Sequence, residues 1–261
     1  MTDYADLLPI AHQAVDLAHK IMTTMQPGVL TAKGDRDMAS EVDYAIEERI
    51  RAFLSQKTPD VGFLGEENGI SGATDGPMWA LDPVDGTVNF VHGSPLCAIS
   101  LGLIVGYRPV LGVIDLPFLG ERYSAFEGGG ATVNGQRVNV SLVSKVSDAV
   151  VAIGDYAVGD RAAQKNSERF AMTERLTANV QRIRMHGSAA IDLAWLAAGR
   201  VDAIAMLSNK PWDTAAGVVI AREAGAQVVD RDGAFHDTRV QSTVAAHPIL
   251  LPTILALVSG A

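Results

Sequence analysis

Three short segments of the chain place acidic residues where a turn would aim them at one point. The first reads Trp79-Ala80-Leu81-Asp82-Pro83-Val84-Asp85-Gly86-Thr87. A strand-like apolar run leads into two aspartates separated by two residues. Pro83 fixes one φ and Gly86 permits a tight turn. Carboxylates held this way suit a hard cation such as Mg²⁺, which takes oxygen ligands and keeps places for substrate oxygens. Asp-Pro and Asp-Gly also mark ordinary turns, and the segment alone does not choose between the two readings. The second segment is Phe63-Leu64-Gly65-Glu66-Glu67-Asn68-Gly69, two glutamates after an apolar strand, which alone reads as a solvated loop. The third is Lys210-Pro211-Trp212-Asp213-Thr214. Pro211 suits a helix start, and Asp213 suits a first helical turn, where a carboxylate needs no further function.

The rest of the composition narrows the chemistry. The chain has 261 residues, a net charge of −9, 48% hydrophobic and 20% charged residues, as expected of a globular protein with a sizeable core. No basic footprint is present, so nucleic acid is excluded as the main partner. The acidity is awkward for an anionic substrate unless part of it serves to bind cations. The single cysteine, Cys97, has apolar neighbours and reads as a buried thiol. Residues Met1–Ile10 do not read as a signal peptide, and no apolar run is long enough for a membrane helix. These features point to a cytoplasmic enzyme without a membrane partner. Six histidines (His12, His19, His92, His186, His236 and His247) lack zinc-protease spacing and read mostly as surface or structural. Gly128–Gly130 marks a turn and lacks the lysine of a phosphate-binding loop, and no G-x-S-x-G supports serine chemistry.

The elements that must position the acids can be read from periodicity. Helical spacing runs over 4–25 and over 41–56, the latter capped by Ser40, with a polar loop over 31–38 between them. Short strands are expected at 61–64 and 78–81, then an antiparallel meander at 99–105, 110–116 and 121–126. Asn134-Gly135 marks a hairpin. From 149 onward the pattern alternates: strand 149–153, helices 161–177 and 189–198, strand 201–206, helix 214–224, strands 227–229 and 244–246, helix 249–258. The fold class is α/β of the layered, mixed kind. A soft boundary at 141–148 divides residues 1–144, an α+β half with most of the acids, from 145–261, an α/β half that closes the site.

Together and in order, the Gly65-Glu66-Glu67, Asp82-Pro83-Val84-Asp85-Gly86-Thr87 and Trp212-Asp213 segments resemble the inositol monophosphatase family of lithium-sensitive, magnesium-dependent sugar-phosphate phosphatases. Lys33-Gly34-Asp35-Arg36-Asp37-Met38-Ala39-Ser40-Glu41-Val42-Asp43 adds the family's lysine-glycine loop and its following aspartates. The resemblance spans about residues 5–258. It implies alternating helix and sheet layers, an αβαβα sandwich of the inositol monophosphatase and fructose bisphosphatase type. It implies that Glu66, Asp82, the Val84 carbonyl, Asp85 and Asp213 hold two or three Mg²⁺ ions. Asp43 and Thr87, with Glu66, form the implied catalytic set that aims and activates water. Gly86 and Thr87 are implied to offer backbone N–H groups to phosphate at a helix start. Lys33 would lie on a loop closing over the site, and Gly187, Ser188 and Ala189 beside the substrate. A homodimer is implied as well. The physics is compatible: four negative charges in one pocket repel strongly unless cations neutralise them.

The resemblance thins at the leaving group. Where inositol-handling members carry a glutamate seven residues before the Trp-Asp aspartate, this chain has Met206, a poor partner for a hydroxyl. Gly154-Asp155 replaces the family's usual Gly-Ser, and Ala39-Ser40 its Val-Thr. Three readings stand: hydrolysis of inositol monophosphate or another small alcohol phosphate; the same chemistry on histidinol phosphate or a sugar bisphosphate; and a noncatalytic, metal-dependent binding protein. A pure binder has no use for the Asp43/Thr87 pair.

Overall fold

The computed structural model describes residues 4–34 and 37–260, with only the backbone at Gly34 and Asp37. The Asp35-Arg36 part of the lysine-glycine segment, and Met1–Asp3 of the N-terminus, lie outside the described residues. A 3₁₀ turn over Tyr4–Leu7 leads into α1 (Leu8–Thr24). Residues 31–34 and 37–38 are strand and not loop: β1 (Leu30–Gly34) and β2 (Asp37–Ser40) pair antiparallel as a separate two-stranded sheet. Strand β1 is exposed along 30–33 and, of the described side chains, only Ala39 and Ser40 at the end of β2 are buried, so no apolar stripe marks the pair in sequence. Helix α2 (Glu41–Lys57) begins at Ser40, whose hydroxyl accepts from the Val42 N–H at 3.2 Å.

The large sheet follows. Its strands are β3 (Gly62–Gly65), β4 (Gly69–Ser71), β5 (Met78–Asp85), then, after the short α3 (Thr87–Val91), β6 (Ala98–Val105), β7 (Arg108–Leu116), β8 (Glu121–Phe126), β9 (Thr132–Val133) and β10 (Gln136–Arg137). The order across the sheet is β10-β9-β8-β7-β6-β5-β3-β4. The meander and the hairpin at Asn134-Gly135 are present, both turn residues having positive φ (49° and 78°). The second sheet is built from β11 (Val150–Ile153), then, after α4 (Ala162–Asn179), β12 (Arg182–Arg184), after α5 (Ala189–Ala197) β13 (Ala203–Met206), after α6 (Pro211–Glu223) β14 (Gln227–Val229), and β15 (Thr243–Ala246) before α7 (Leu251–Ser259). Its order is β12-β11-β13-β15-β14. Strands β1, β2, β4 and β12 have no sequence signal: they are short, polar or glycine-flanked.

The layers run α1/α2, large sheet, α5/α6, small sheet, α4/α7, an αβαβα sandwich. Three apolar cores fill the gaps. The first packs Ala11, Val15, Ile46 and Ile50 of the outer helices onto Leu101 and Leu111. The second surrounds α5 and α6, and the third lies beneath α4 and α7. Strand β6 is buried on both faces, which is why it reads as a nearly continuous apolar run, interrupted by Ser100. Cys97 is buried and free, as its neighbours implied, and burial pushes its thiol up to about 12. No helix among the described residues is long and apolar enough to cross a membrane.

Helix α6 decides where the site forms, and glycines decide where α6 lies. A Cβ on Gly102 would stand 2.7 Å from the Ala216 nitrogen, and one on Gly112 would stand 2.4 Å from the Ala216 carbonyl oxygen. The helix therefore rests directly on the backbones of β6 and β7. Its far end is fastened by Glu223, which accepts from the Gly128 and Gly130 N–H groups at 2.9 and 2.7 Å. The glycines of 128–130 thus hold a carboxylate of the chain itself. Gly112→Ala must push α6 outward, an overpacking that costs about 1–3 kcal/mol. We expect its melting temperature to fall by roughly 3–10 °C for a domain of this size. An unchanged thermal melt would show that the helix has room to move.

Candidate active site

The acids converge because strand, bulge and helix ends meet in one place. In a regular strand, residues three apart face opposite sides. Strand β5 escapes this by a bulge: Asp82 pairs with Ser100 and Asp85 with Ala98, three steps against two. The Val84 N–H donates to Asp82 at 3.1 Å and holds that carboxylate toward the bend. Gly86 then takes φ 88°, and a Cβ there would meet the Leu96 carbonyl oxygen at 2.9 Å. Asp85 turns toward α5, where the Ser188 hydroxyl and the Ala190 N–H donate to it at 2.6 and 2.5 Å. Asp213 sits in the first turn of α6, its carboxylate accepting from the Lys210 backbone N–H at 2.7 Å. Glu66 follows β3, and its N–H donates to the Leu81 carbonyl at 3.2 Å, so it lies alongside Asp82.

These groups line a cavity of about 670 Å³. On its wall stand Glu66, Asp82, Val84, Asp85 and Asp213; beside them stand Gly86, Thr87, Gly187, Ser188, Ala189 and Met206. Two expected site residues are not on the wall. Asp43 is fully buried behind Thr87. The Ser40 N–H and hydroxyl occupy one oxygen of Asp43, while the other faces the Thr87 hydroxyl at 3.3 Å. That hydroxyl also lies 3.0 Å from the Val84 carbonyl, so its one proton has two acceptors. Lys33 is on strand β1 rather than a loop, and its ammonium donates to Glu66 at 2.5 Å and Glu67 at 2.8 Å. Met206 is 3% exposed, part of the core and of the cavity wall at once.

Electrostatics follows from this crowding. Burial and the neighbouring charges of Glu66, Asp85 and Asp213 push Asp82 well above the usual carboxylate range. Burial raises Asp85 to about 7 against the Ser188 and Ala190 hydrogen bonds, with Glu66 and Asp192 adding to the rise. Asp213 is raised to about 8, by burial and then Asp85. Burial also lifts Glu67 to about 7 and raises Asp43. Burial alone would weaken the Lys33 ammonium, but Glu66 and Glu67 hold its proton and the net shift is upward. Among the described residues no three acidic, histidine or cysteine side chains stand closed around one point as an ion cage. The donor chemistry nevertheless fits a hard cation: the cluster offers carboxylate and carbonyl oxygens, among its acids the Lys33 ammonium neutralises Glu66 alone, and the repulsion among the others is what a cation would relieve.

A comparison with family models decides which fold family this is: the one described as the inositol monophosphatase family matches residues 3–260. The chain belongs to the inositol monophosphatase family. Among similar proteins, inositol monophosphatase 1 of Solanum lycopersicum is 35% identical over 91% of this chain and 90% of its own. The inositol-1-monophosphatase of Mesorhizobium japonicum is 38% identical over 88% of this chain and 85% of its own. Among solved structures, the extragenic suppressor protein suhB of Bartonella henselae superposes with a TM-score of 0.90 at 31% identity, covering 97% of this chain and 98% of that one. The Thermotoga maritima IMPase gives 0.88 at 29%, covering 98% and 97%. The family is metal-dependent.

Relative to that family frame, residue-by-residue reading missed three groups. Glu47 is fully buried on α2 and accepts from the Glu67 and Asn68 N–H groups at 2.8 and 2.9 Å, holding the glutamate turn in place. A Cβ on Gly65 would strike that carboxylate, so the glycine before Glu66 is required. An acid among the apolar positions Ile46 and Ile50 was the available signal. His186 and Asp192, bonded at 2.5 Å, both line the cavity, although the histidines read as surface or structural. Arg169, on α4, lines it too. Nothing local marks the last two features.

Protonation gives a test. Carboxyls whose folded-state pKa lies above that of the unfolded chain, near 4, stabilise the fold while protonated. For Asp85 and Asp213 without a cation, that contribution is complete below about pH 4 and is lost as pH rises through about 7 and 8. A divalent cation binds the ionised form only and stabilises by about 2.7 kcal/mol at a hundredfold excess over its Kd. We expect saturating Mg²⁺ to raise the melting temperature by roughly 5–10 °C at pH 8 and by far less at pH 5. Equal shifts at both values, read by calorimetry, would separate cation binding from these carboxyls.

Proposed function

We propose that this protein is a magnesium-dependent phosphomonoesterase of small alcohol phosphates, with inositol monophosphate, the ester its relatives are named for, as the first substrate to test. The observation that carries the reading is the conjunction, at one cavity, of a carboxylate cluster with Thr87 on the wall, backed by the buried Asp43. The reaction is R–O–PO₃²⁻ + H₂O → R–OH + HPO₄²⁻. In this reading Glu66, Asp82, Asp85, Asp213 and the Val84 carbonyl hold two or three Mg²⁺ ions, which neutralise the cluster, acidify water and steady the leaving oxygen. Thr87 Oγ1 orients the attacking water from the cavity wall. As water attacks in line, its proton passes to Thr87 Oγ1, and the threonine proton passes to Asp43 Oδ1. Burial, which raises Asp43, suits it to that receipt. The Gly86 and Thr87 N–H groups would face the phosphate; α3 is only five residues long, so these amides matter more than any dipole. The released alcohol recovers a proton from solvent, and no phosphoenzyme forms. Lithium inhibition and a homodimer complete the proposal.

The alternatives differ in the leaving group: histidinol phosphate or a sugar bisphosphate would use the same residues. A noncatalytic binder would keep the carboxylates and have no use for the Thr87–Asp43 relay. Phosphate release from a panel of esters with and without Mg²⁺ tests the reading; full turnover in excess chelator, or none with any ester, would sink it.

Two pairs of substitutions separate roles. Asp43→Asn and Thr87→Ala should cut kcat by roughly 10²–10⁴-fold while Mg²⁺ affinity stays near wild type. Asp82→Asn and Asp213→Asn should weaken Mg²⁺ binding as well. Calorimetric titration decides, and parallel affinity losses in Asp43→Asn and Asp82→Asn would refute the division.

Met206 carries the second expectation. Its thioether offers no charged acceptor to a hydroxyl, a bond worth about 1.5–3 kcal/mol when made. Met206→Glu should shift relative kcat/KM toward inositol monophosphate, and away from less hydroxylated esters, by about 1–2 kcal/mol. An unchanged ratio would place the selectivity elsewhere.

A further inference from the structure

The cavity has a second end, which carries cations as well as acids. Beyond Met206 its wall is made by helix α4 and the segment that follows β11: Tyr156, Lys165 and Arg169 line it. Arg169 is 7% exposed, and its Nη1 has no partner. None of the described acids forms an ion pair with it. Asp192, on the same wall, is taken by His186 at 2.5 Å, and Glu168 by Arg231 at 3.0 Å; Asp155 is exposed and makes no bond to the guanidinium. A buried cation without a counter-ion is costly, and folds keep one where a ligand completes it. Lys165 lies one turn earlier, on the same helix face, exposed and pointing into the same space.

The surroundings hold this arrangement. Asn166 clasps the Ala157 backbone by two hydrogen bonds, 2.7 and 2.8 Å. The Tyr156 hydroxyl meets Thr173 Oγ1 at 2.9 Å, and Thr173 donates to the Arg169 carbonyl at 2.8 Å. The Tyr156 ring packs on Phe170 at 4.7 Å. The 154–157 stretch is thereby fastened to the helix that carries the cations. It passes beside Met206, whose Cγ would make an ordinary 3.5 Å contact with a Cβ at Gly154.

We propose that this end of the cavity binds a second anionic group on the leaving alcohol, a phosphate or a carboxylate, with Arg169 as the specificity-determining residue and Lys165 in support. A neutral polyol leaves the guanidinium unpaired, whereas an oxyanion accepts two parallel N–H bonds from it. The proposal rests on the phosphomonoesterase reading and narrows its substrate class.

The test compares kcat/KM for fructose 1,6-bisphosphate and 2-phosphoglycerate with that for glycerol 2-phosphate and inositol 1-phosphate, all with Mg²⁺. The wild type should favour at least one anionic ester by about tenfold or more; which of the two responds identifies phosphate or carboxylate. Arg169→Gln should lower that ester's kcat/KM by roughly 10–100-fold, the range of a lost charge-assisted bond, and leave glycerol 2-phosphate within about twofold. Arg169→Lys should retain part of the preference. Lys165→Ala, a change at an exposed position, should cost the anionic ester a few-fold and the neutral ester nothing, and it serves if Arg169→Gln does not fold. Turnover of glycerol 2-phosphate with no anionic preference, or equal losses on both ester classes in Arg169→Gln and Lys165→Ala, overturns the proposal alone. Phosphate release from none of the esters overturns it together with the reading beneath it.

Discussion

Four carboxylates facing one cavity repel each other, and the rest of the molecule is arranged to hold them there. At low dielectric each like-charge contact outweighs any single hydrogen bond, so every acid has its own restraint. Asp85 is held by Ser188 and Ala190, Asp82 by the Val84 N–H, and Asp213 by the Lys210 N–H. Glu66 leans on Lys33, and the turn that carries it hangs from Glu47. These restraints come from five different elements, β1, α2, β5 and the starts of α5 and α6. Burial first, and then the repulsion that remains, raises the Asp82, Asp85 and Asp213 carboxyls, and a bound cation would offset both.

The restraints need a rigid frame, and the frame explains the glycines. Helix α6 bears Asp213 at one end and is pinned by Glu223 at the other, with Gly102 and Gly112 beneath. The Ser100 hydroxyl, 3.4 Å from the Trp212 carbonyl, ties the start of the helix to the strand opposite Asp82. Sheet, bulge and helix end therefore keep a constant spacing. Because the large sheet is covered on both faces, this frame lies in the interior, where solvent does not soften it.

What the sequence showed of this arrangement follows from how local each feature is. Helices α1 and α2 were legible because an apolar face at helical spacing and a Ser40 cap are short-range signals. The β6–β8 meander and the Asn134-Gly135 hairpin were legible for the same reason. The acid motifs were legible because a bulge, a left-handed glycine and a helix start each demand particular residues in a row. The β1–β2 pair was not, since neither face buries an apolar stripe. Glu47 looked like any helical glutamate, because its partners, the Glu67 and Asn68 amides, are about twenty residues away. Pairing of His186 with Asp192 needed the loop before α5 folded back on the helix. Arg169 was hidden most deeply: its role depends on an absent counter-ion, and no window of sequence reports that.

The two ends of the cavity are under different constraints. At the carboxylate end, moving one acid breaks the spacing of the other three, so the chemistry there is fixed by mutual repulsion and by the frame. At the α4 end the groups stand on one helix and one fastened segment, and no carboxylate restraint passes through them. Arg169 and Lys165 make no ion pair or hydrogen bond with the groups that hold Asp82 or Asp213, whereas Met206, on β13, also packs in the core shared with α5 and α6. One end therefore sets what is done to the phosphate, and the other sets which alcohol carries it. On the proposed reading, a chain with an intact acid cluster and an altered far wall would keep the reaction and change the substrate, and Met206 together with an unpaired Arg169 would make this chain such a case.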